Sequence, residues 1–483
     1  MSWAAQLGSV VGSAGLALLF VARRQDLRVA GLAAWALGLG GLAAYLAPDL
    51  SATKLAVAAV GGVLVSVAGA WALLRAPYLL AFATLACLPA RIPVQLGDEE
   101  ANLLLPLYVV VSSLAVALGW QLVVRHDDRE RELGPIALPL AAFVAWTGLT
   151  LLWSVDVREG AIFVGAFLLP FGLLALGFAR LPWRGRFMTW LWTGLVGTAL
   201  AYASIGAYQW ATRDVFWNPK VIVGNAYAPF FRVNSIFWDP SIYGRYLTVG
   251  ILTALAGILL GGVRGWRLAG LYAVVAAMWA GLFFSFSQSS FAALAGGAVA
   301  AGLVVWSRRA VGIAAIAAVV LMAFSLALPQ VRSKVEAKSR AGIDSITSDR
   351  ASLVGGGLRI AASHPLGGVG AGGFRRAYAD RTGLGGKRPN SAASHTTPVT
   401  VAAEGGVPGF ALFGWLCITA VLAALRGLGR GFTSRVSFAV GLTLVGIIVH
   451  SVFYNAFFED PMAWAMLGLV GLAVSVPRKS GEP

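Results

Sequence analysis

The chain has 483 residues, of which 58% are hydrophobic and 12% charged, with a formal net charge of +16. A soluble globular chain carries about 25% charged residues, so that class is excluded. Repeated apolar runs of about 20 residues are those of an all-α polytopic membrane protein. The basic excess does not point to nucleic acid, because many of the arginines sit in short clusters between apolar runs, where they orient helices.

In chain order, fifteen spans are expected, near 3–22, 29–47, 54–74, 77–90, 101–124, 136–153, 159–178, 187–209, 240–262, 268–285, 289–306, 310–328, 401–424, 437–457 and 462–476. The first is followed by "RRQDLR" with no small-residue cleavage site, and reads as a retained helix rather than a removed signal peptide. Cys87 and Cys417 both fall inside apolar runs, which offers no disulfide framework. Alternate loops differ sharply in charge. One set carries Arg23, Arg24, Arg28, Arg75, Arg125, Arg180, Arg264, Arg267, Arg308, Arg426 and Arg435; the other set of short loops carries only Lys54, Arg91 and Arg158. The positive-inside rule then puts the N-terminus outside and the C-terminus, with the tail 477–483, in the cytoplasm.

Two outer segments, 210–239 and 329–400, are too long to be turns, and loops of that length are functional or disordered. The larger holds eleven Lys/Arg against four Asp/Glu. Large translocated loops escape the positive-inside rule, so its basic excess fits either anionic headgroups or an anionic substrate. "SDRASLVGGGLRIAASHP" predicts a short helix through Arg359 that stops at Pro365, and "GGFRRAYAD" a second one. No sequence repeat relates the two halves.

The outer face concentrates the residues able to do chemistry. "FFRVNSIFWDPSIYGRYL" (230–247) carries Arg232 before the membrane and Arg245 near its edge, with Asp239-Pro240 as a helix cap. Guanidinium groups bind phosphate oxygens bidentately, so both arginines fit a lipid diphosphate as well as they fit headgroups. Arg359 precedes the glycine-rich "HPLGGVGAGGF", read as a tight turn and not a dinucleotide loop, since no strand precedes it. His395 stands at the entry to an apolar run, where a neutral imidazole can take a proton from a hydroxyl. Glu404, nine residues on, can orient that ring or pair with an arginine. The serines of "SFSQSSF" (285–291) are expected to cap helices, and His450 to bond a neighbouring helix. No metal-binding pattern stands on this face and no cofactor is expected.

At these residues the chain resembles the O-antigen ligase and polymerase superfamily. That family's histidine pattern, with Gly after an interval and Gly again, fits His395, Gly406 and Gly409. Thr396 departs from the usual Asn, Ser or Gln. Glu404 falls where the family commonly has Glu. Arg232, Phe237 and Pro240 look like a second motif. Arg359, Pro365, Leu366, Gly368, Gly370 and Phe374 look like a third, with one extra residue in the turn. Ser287-Gln288 stands where the family has Ser-Arg, and Phe458-Glu459 resembles its late outer acid. The resemblance covers 77–476 as a twelve-span core, leaving 1–76 as three additional N-terminal helices.

The resemblance implies transfer of a glycan from undecaprenyl diphosphate to a glycan or lipid acceptor among the membrane lipids. The site would face outward from the cytoplasmic membrane, with His395 as base and Arg232, Arg359 and Arg245 holding the diphosphate. The short tail after the last span argues against a protein acceptor. A transporter of lipid-linked sugars or polysaccharide is the competing reading. It requires charges lining spans through both leaflets, whereas Arg232, Arg245, Glu404, Glu459 and Asp460 crowd toward the outer half. A structural scaffold would need no histidine at a membrane mouth.

Overall fold

The computed structural model describes residues 2–47, 52–96, 99–127, 132–182, 185–227, 230–305, 350–383, 394–426, 428 and 432–475. These are almost all helical, and ten helices are long and apolar enough to cross a membrane. They are α1 (Ser2–Val21), α2 (Gln25–Leu46), α5 (Leu105–Val123), α6 (Ala137–Thr150) with its flanking 3₁₀ turns, and α7 (Val157–Ile162) running through a π-helical turn into α8 (Leu169–Ala179). The others are α11 (Pro240–Leu260), α12 (Trp266–Ser285), α13 (Gln288–Val305), α16 (Thr397–Leu425) and α17 (Phe432–Phe453). Between them lie α3 (Ala52–Arg75), α9 (Gly185–Thr212), α10 (Pro219–Tyr227), α14 (Arg350–Ser363), α15 (Phe374–Thr382) and, last, α18 (Pro461–Ser475).

One expected span is different in kind. Over 77–90 the chain forms only the nine-residue α4 (Leu79–Cys87), followed by an antiparallel hairpin of β1 (Ile92–Leu96) and β2 (Glu99–Leu103). Pro89 and Pro93 each lack the N–H a continuing helix needs, so the run breaks there. The hairpin also takes the start of the expected 101–124 span, and α5 begins at Leu105 with Pro106 in its first turn. The expected span 310–328, and residues 329–349 and 384–393 of the loop 329–400, lie outside the described residues.

The N-terminal helices are integral to the bundle. In α1 and α2 the backbones approach closely: a Cβ on Gly8 would stand 2.9 Å from the Gly38 carbonyl, and one on Gly31 the same distance from the Gly15 carbonyl. Small residues permit this packing where lipid removes any hydrophobic drive between helices. Ser9 donates to the Gly148 carbonyl at 2.8 Å and Trp35 Nε1 to the Leu169 carbonyl at 3.0 Å. Leu16, Leu19 and Leu42 thus share one apolar core with α6, α8, α11 and α18. At the basic end of the bundle, Arg28 and Arg180 both grip Glu132, and Arg180 also pairs with Asp127. Two arginines of the basic loops are therefore spent inside the protein.

Candidate functional site

The site begins with a broken helix. Gly406, inside α16, has φ 66° and ψ −166°, and Pro408 follows. In a regular helix Val407 and Pro408 would bond the carbonyls of Ala403 and Glu404. Pro408 has no N–H, and Val407 turns its own to the Pro365 carbonyl at 2.8 Å. The two freed carbonyls accept instead from Val369 at 2.9 Å and Gly370 at 3.0 Å. The glycine-rich turn after α14 thus completes the break in α16, which a chain inside a membrane must do somewhere.

Glycine is needed in this turn for both shape and space. Gly368, Gly370 and Gly372 all have positive φ. A Cβ on the first would strike the Glu404 backbone, on the second Ser154, and on the third Gly160. The turn is wedged between the α16 break and residues 153–160. Trp153 Nε1 donates to the Gly367 carbonyl at 3.0 Å, Ser154 Oγ to that of Ala371 at 2.7 Å, and the Val155 N–H to that of Val369 at 3.1 Å. On the other side Trp146 Nε1 donates to the Gly405 carbonyl at 2.9 Å.

Beneath this junction lies a cavity of about 230 Å³. Three carboxylates, Glu159, Glu404 and Glu459, line it together with Arg375 and the rings of Phe143, Trp146, Phe163, Phe374, Phe457 and Phe458. Glu404 Oε1 accepts from the Phe374 N–H at 3.2 Å, and its carboxylate also accepts from the Gly372 N–H. It therefore caps the start of α15, where a helix favours negative charge. Arg375 Nη1 lies 3.8 Å from Glu159 Oε1. Glu459 is on the α17–α18 connection, its carbonyl fixed by Arg91 Nη2 at 3.0 Å. Burial raises its carboxyl above the ordinary range, opposed by the nearby charges of Arg91, Arg375 and Arg245. Burial likewise raises the Tyr454 phenol on the same connection. Among the described residues, no three His, Cys, Asp or Glu side chains group so as to hold a metal ion.

The site residues expected from sequence fall around this cavity unequally. Glu404 lines it. His395 is half-buried beside it, and its neighbours Ser394 and Thr397 both face the cavity. The His395 backbone is left-handed at φ 54°. That conformation is uncommon outside glycine and persists where surroundings impose it. Arg245 is buried and its Nε pairs with Asp460 Oδ2 at 2.8 Å, next in sequence to Glu459. Arg232 and Arg359 do not line the cavity. Arg232 Nε donates to the Ser285 carbonyl at 3.1 Å, so the "FFRVNSIFWDP" and "SFSQSSF" stretches meet. Arg359 is exposed on α14, donating from Nε to the Gly355 carbonyl at 3.2 Å.

The capping expectations hold. Asp239 accepts from the Ser241 N–H at 2.7 Å with Pro240 in the first turn, and His450 Nε2 meets Ser289 Oγ of α13 at 3.1 Å. Sequence reasoning missed Glu159, Arg375, Arg91 and Gln209. Asp156 caps α7 by accepting from the Glu159 N–H at 3.2 Å, so "DVRE" reads as an ordinary helix start and hides an acid that lines the cavity. Gln209, wholly buried, clamps the turn after Arg232: its Nε2 donates to the Ser235 carbonyl at 2.9 Å and its Oε1 accepts from the Ser235 N–H at 2.7 Å.

No curated protein matches the chain. Residues 273–414 match the family model described as O-antigen ligase. The matched stretch, under a third of the chain, contains the glycine-rich turn, His395, Glu404, Gly406 and Gly409, which indicates a membrane protein of glycan-transfer type. This match and these motifs support the resemblance to the O-antigen ligase and polymerase superfamily.

Proposed function

We propose that the chain is a glycosyltransferase that moves a glycan from undecaprenyl diphosphate to an acceptor hydroxyl at the outer face of the cytoplasmic membrane, as a surface-polysaccharide polymerase or O-antigen-type ligase. The observation that carries this reading is the cavity under the α16 break, half of whose lining, Glu404 included, comes from the stretch that matches the family. Its lining joins aromatic faces to carboxylates, the groups that take the apolar faces and the hydroxyls of a sugar. The acceptor sugar sits there, its hydroxyls held by Glu159, Glu404 and Glu459.

His395, at the rim, takes the proton of the acceptor hydroxyl as the oxygen attacks the anomeric carbon. The bond from that carbon to the diphosphate oxygen breaks, and undecaprenyl diphosphate leaves with the electron pair. Arg232 and Arg359 stabilise the charge that develops on it. Arg245 is already engaged by Asp460, which supports a positioning role for it rather than direct contact with the diphosphate. No cofactor enters the reaction.

The test uses purified protein, an undecaprenyl-diphosphate glycan and candidate acceptors, following lengthened or ligated product. A general base contributes about 10²–10⁴-fold, so His395→Ala loses that factor in turnover while donor binding stays near that of the parent. Near-normal turnover of this variant, at matched folded protein, removes His395 from the mechanism and leaves Glu404 as the next base to examine.

A further inference from the structure

A second cavity, of about 340 Å³, lies between α4, α9, α11, α17 and α18. Its size is within the range of about 300–1,000 Å³ of ligand pockets. Leu85, Trp192, Val249 and Val440 are typical of its walls. The polar groups on those walls are spent within the protein. Thr84 donates to the Leu80 carbonyl at 2.8 Å, Thr189 to that of Gly185 at 2.9 Å, Thr443 to that of Ala439 at 2.9 Å, and Trp192 Nε1 to that of Thr253 at 3.0 Å. Beside these and Thr253, what remains is a hydrocarbon surface with one cation, Arg435, in the first turn of α17.

Arg435 differs from its neighbours at the basic end of the bundle. Arg28 and Arg180 are consumed by Glu132 and Asp127, and Arg186 stacks over Trp190 at 4.8 Å. The Nε of Arg435 is buried and has no hydrogen-bond partner among the described residues. A buried guanidinium N–H left without a partner costs free energy that a ligand oxygen recovers. An apolar cavity of this kind stays dry and forfeits dispersion contacts until something apolar fills it.

We propose that this cavity holds one acyl chain of an anionic phospholipid, with the headgroup phosphate bound by Arg435. A phosphate suits the guanidinium fork. A zwitterionic headgroup would bring a second cation to an end that already carries Arg186, Arg264 and Arg267, so the charge selects an anionic lipid. The glycan donor is a poor fit. Asn455 and Glu459, which line the cavity under the α16 break, lie beyond the far end of α17, and Arg435 is separated from Phe453 by roughly 27 Å of helix. A lipid whose diphosphate reacts at one end cannot hold its headgroup at the other. This site stands whether or not the transfer reading does.

The test adds phosphatidylglycerol, phosphatidylcholine or undecaprenyl phosphate to the purified full chain in detergent. Retained lipid is counted by native mass spectrometry and the thermal midpoint followed alongside. One phosphatidylglycerol per chain is expected, held roughly tenfold more tightly than phosphatidylcholine. Arg435→Gln brings the two to the same level, Arg435→Lys keeps part of the preference, and Val440→Trp, which fills the cavity, loses both lipids. Three results overturn the proposal. Arg435→Gln retains phosphatidylglycerol like the parent; Val440→Trp retains it, so that no chain enters the cavity; or undecaprenyl phosphate displaces it, so that the cavity belongs to the donor.

Discussion

Gly406 and Gly409 both belong to the histidine motif, but the structure asks very different things of them. Gly406 at φ 66° and ψ −166° occupies backbone space that is essentially glycine's alone, and an L-residue forced there costs about 1–3 kcal/mol. A Cβ at 406 would also stand 2.6 Å from the Pro365 carbonyl oxygen and 2.9 Å from the Leu366 carbonyl carbon, both backbone atoms that cannot swing aside. If the turn moves to admit it, the bonds from Val407, Val369 and Gly370 across the break weaken together, at about 0.5–1.5 kcal/mol each. Gly406→Ala should therefore cost about 3–6 kcal/mol. At Gly409 the φ is ordinary, and a Cβ meets the Trp146 ring at 3.3–3.4 Å, a contact relieved by a small shift. Alanine also gains up to about 1 kcal/mol of helix propensity there, so Gly409→Ala should fall within about 1 kcal/mol of the parent. The assay is thermal unfolding of both variants in one detergent, with transfer measured per folded protein. Gly406→Ala should drop the midpoint by many degrees and lose transfer with every chemical group intact. Equal effects of the two substitutions would refute the argument that the break rests on glycine's backbone freedom.

Three further outcomes follow from the same geometry. Arg245 and Asp460 form a pair at 2.8 Å with side chains 3% and 5% exposed. Arg245→Met leaves a carboxylate buried alone and should cost about 3–5 kcal/mol in thermal stability, much of it recovered by adding Asp460→Asn; no recovery in the double variant refutes the pairing. The Glu459 carboxyl is raised from its ordinary value of 4.5, so the folded chain binds more protons than the unfolded one between that value and its raised one. Stability therefore falls as pH rises through that window, and Glu459→Gln should be more stable than the parent at pH 7, with the gap closing toward pH 4.5; a gap that widens on acidification contradicts the sign. With Cys87 and Cys417 replaced by Ala, an impermeant thiol reagent on spheroplasts should label a cysteine at Thr382 and spare one at Arg426; the reverse pattern inverts the proposed orientation.

What the sequence disclosed depended on how local each cause is. Helices α14 and α15 were legible because their stop signals, Pro365 and Gly383, are written next to them. The Asp239-Pro240 cap was legible for the same reason. The hairpin over 92–103 was hidden because the apolar runs of α4 before it and α5 after it read as spans with only a polar turn between them, and the hydrogen bonds that Pro89 and Pro93 remove leave no mark on composition. Arg28 and Arg180 read as loop charges that orient helices. Their pairing with Glu132 depends on where α2 and α8 end in space, and no local pattern records it. Glu159 and Arg375 were missed for a similar reason: Glu159 lies in the first turn of its helix, where an acid needs no further explanation, and Arg375 is one of the many basic residues of its loop.

The glycine patterns of the turn and of α16, read separately, are each a weak signal. Joined, they solve one problem. A catalytic pocket near a membrane needs carboxylates and backbone polar groups turned inward, and an unbroken helix offers neither. Gly406 and Pro408 free two carbonyls, and the turn at 365–373 satisfies them with its own N–H groups. The same turn delivers the N–H groups of Gly372 and Phe374 to the Glu404 carboxylate. Glu404 is thereby fixed with one edge of its carboxylate against α15 and the cavity before it. The elements that satisfy the broken backbone are thus the elements that orient the acid. In the proposed mechanism this is why the motif couples a histidine to glycines so far along the chain: the first supplies a proton acceptor, and the second builds the wall it works against.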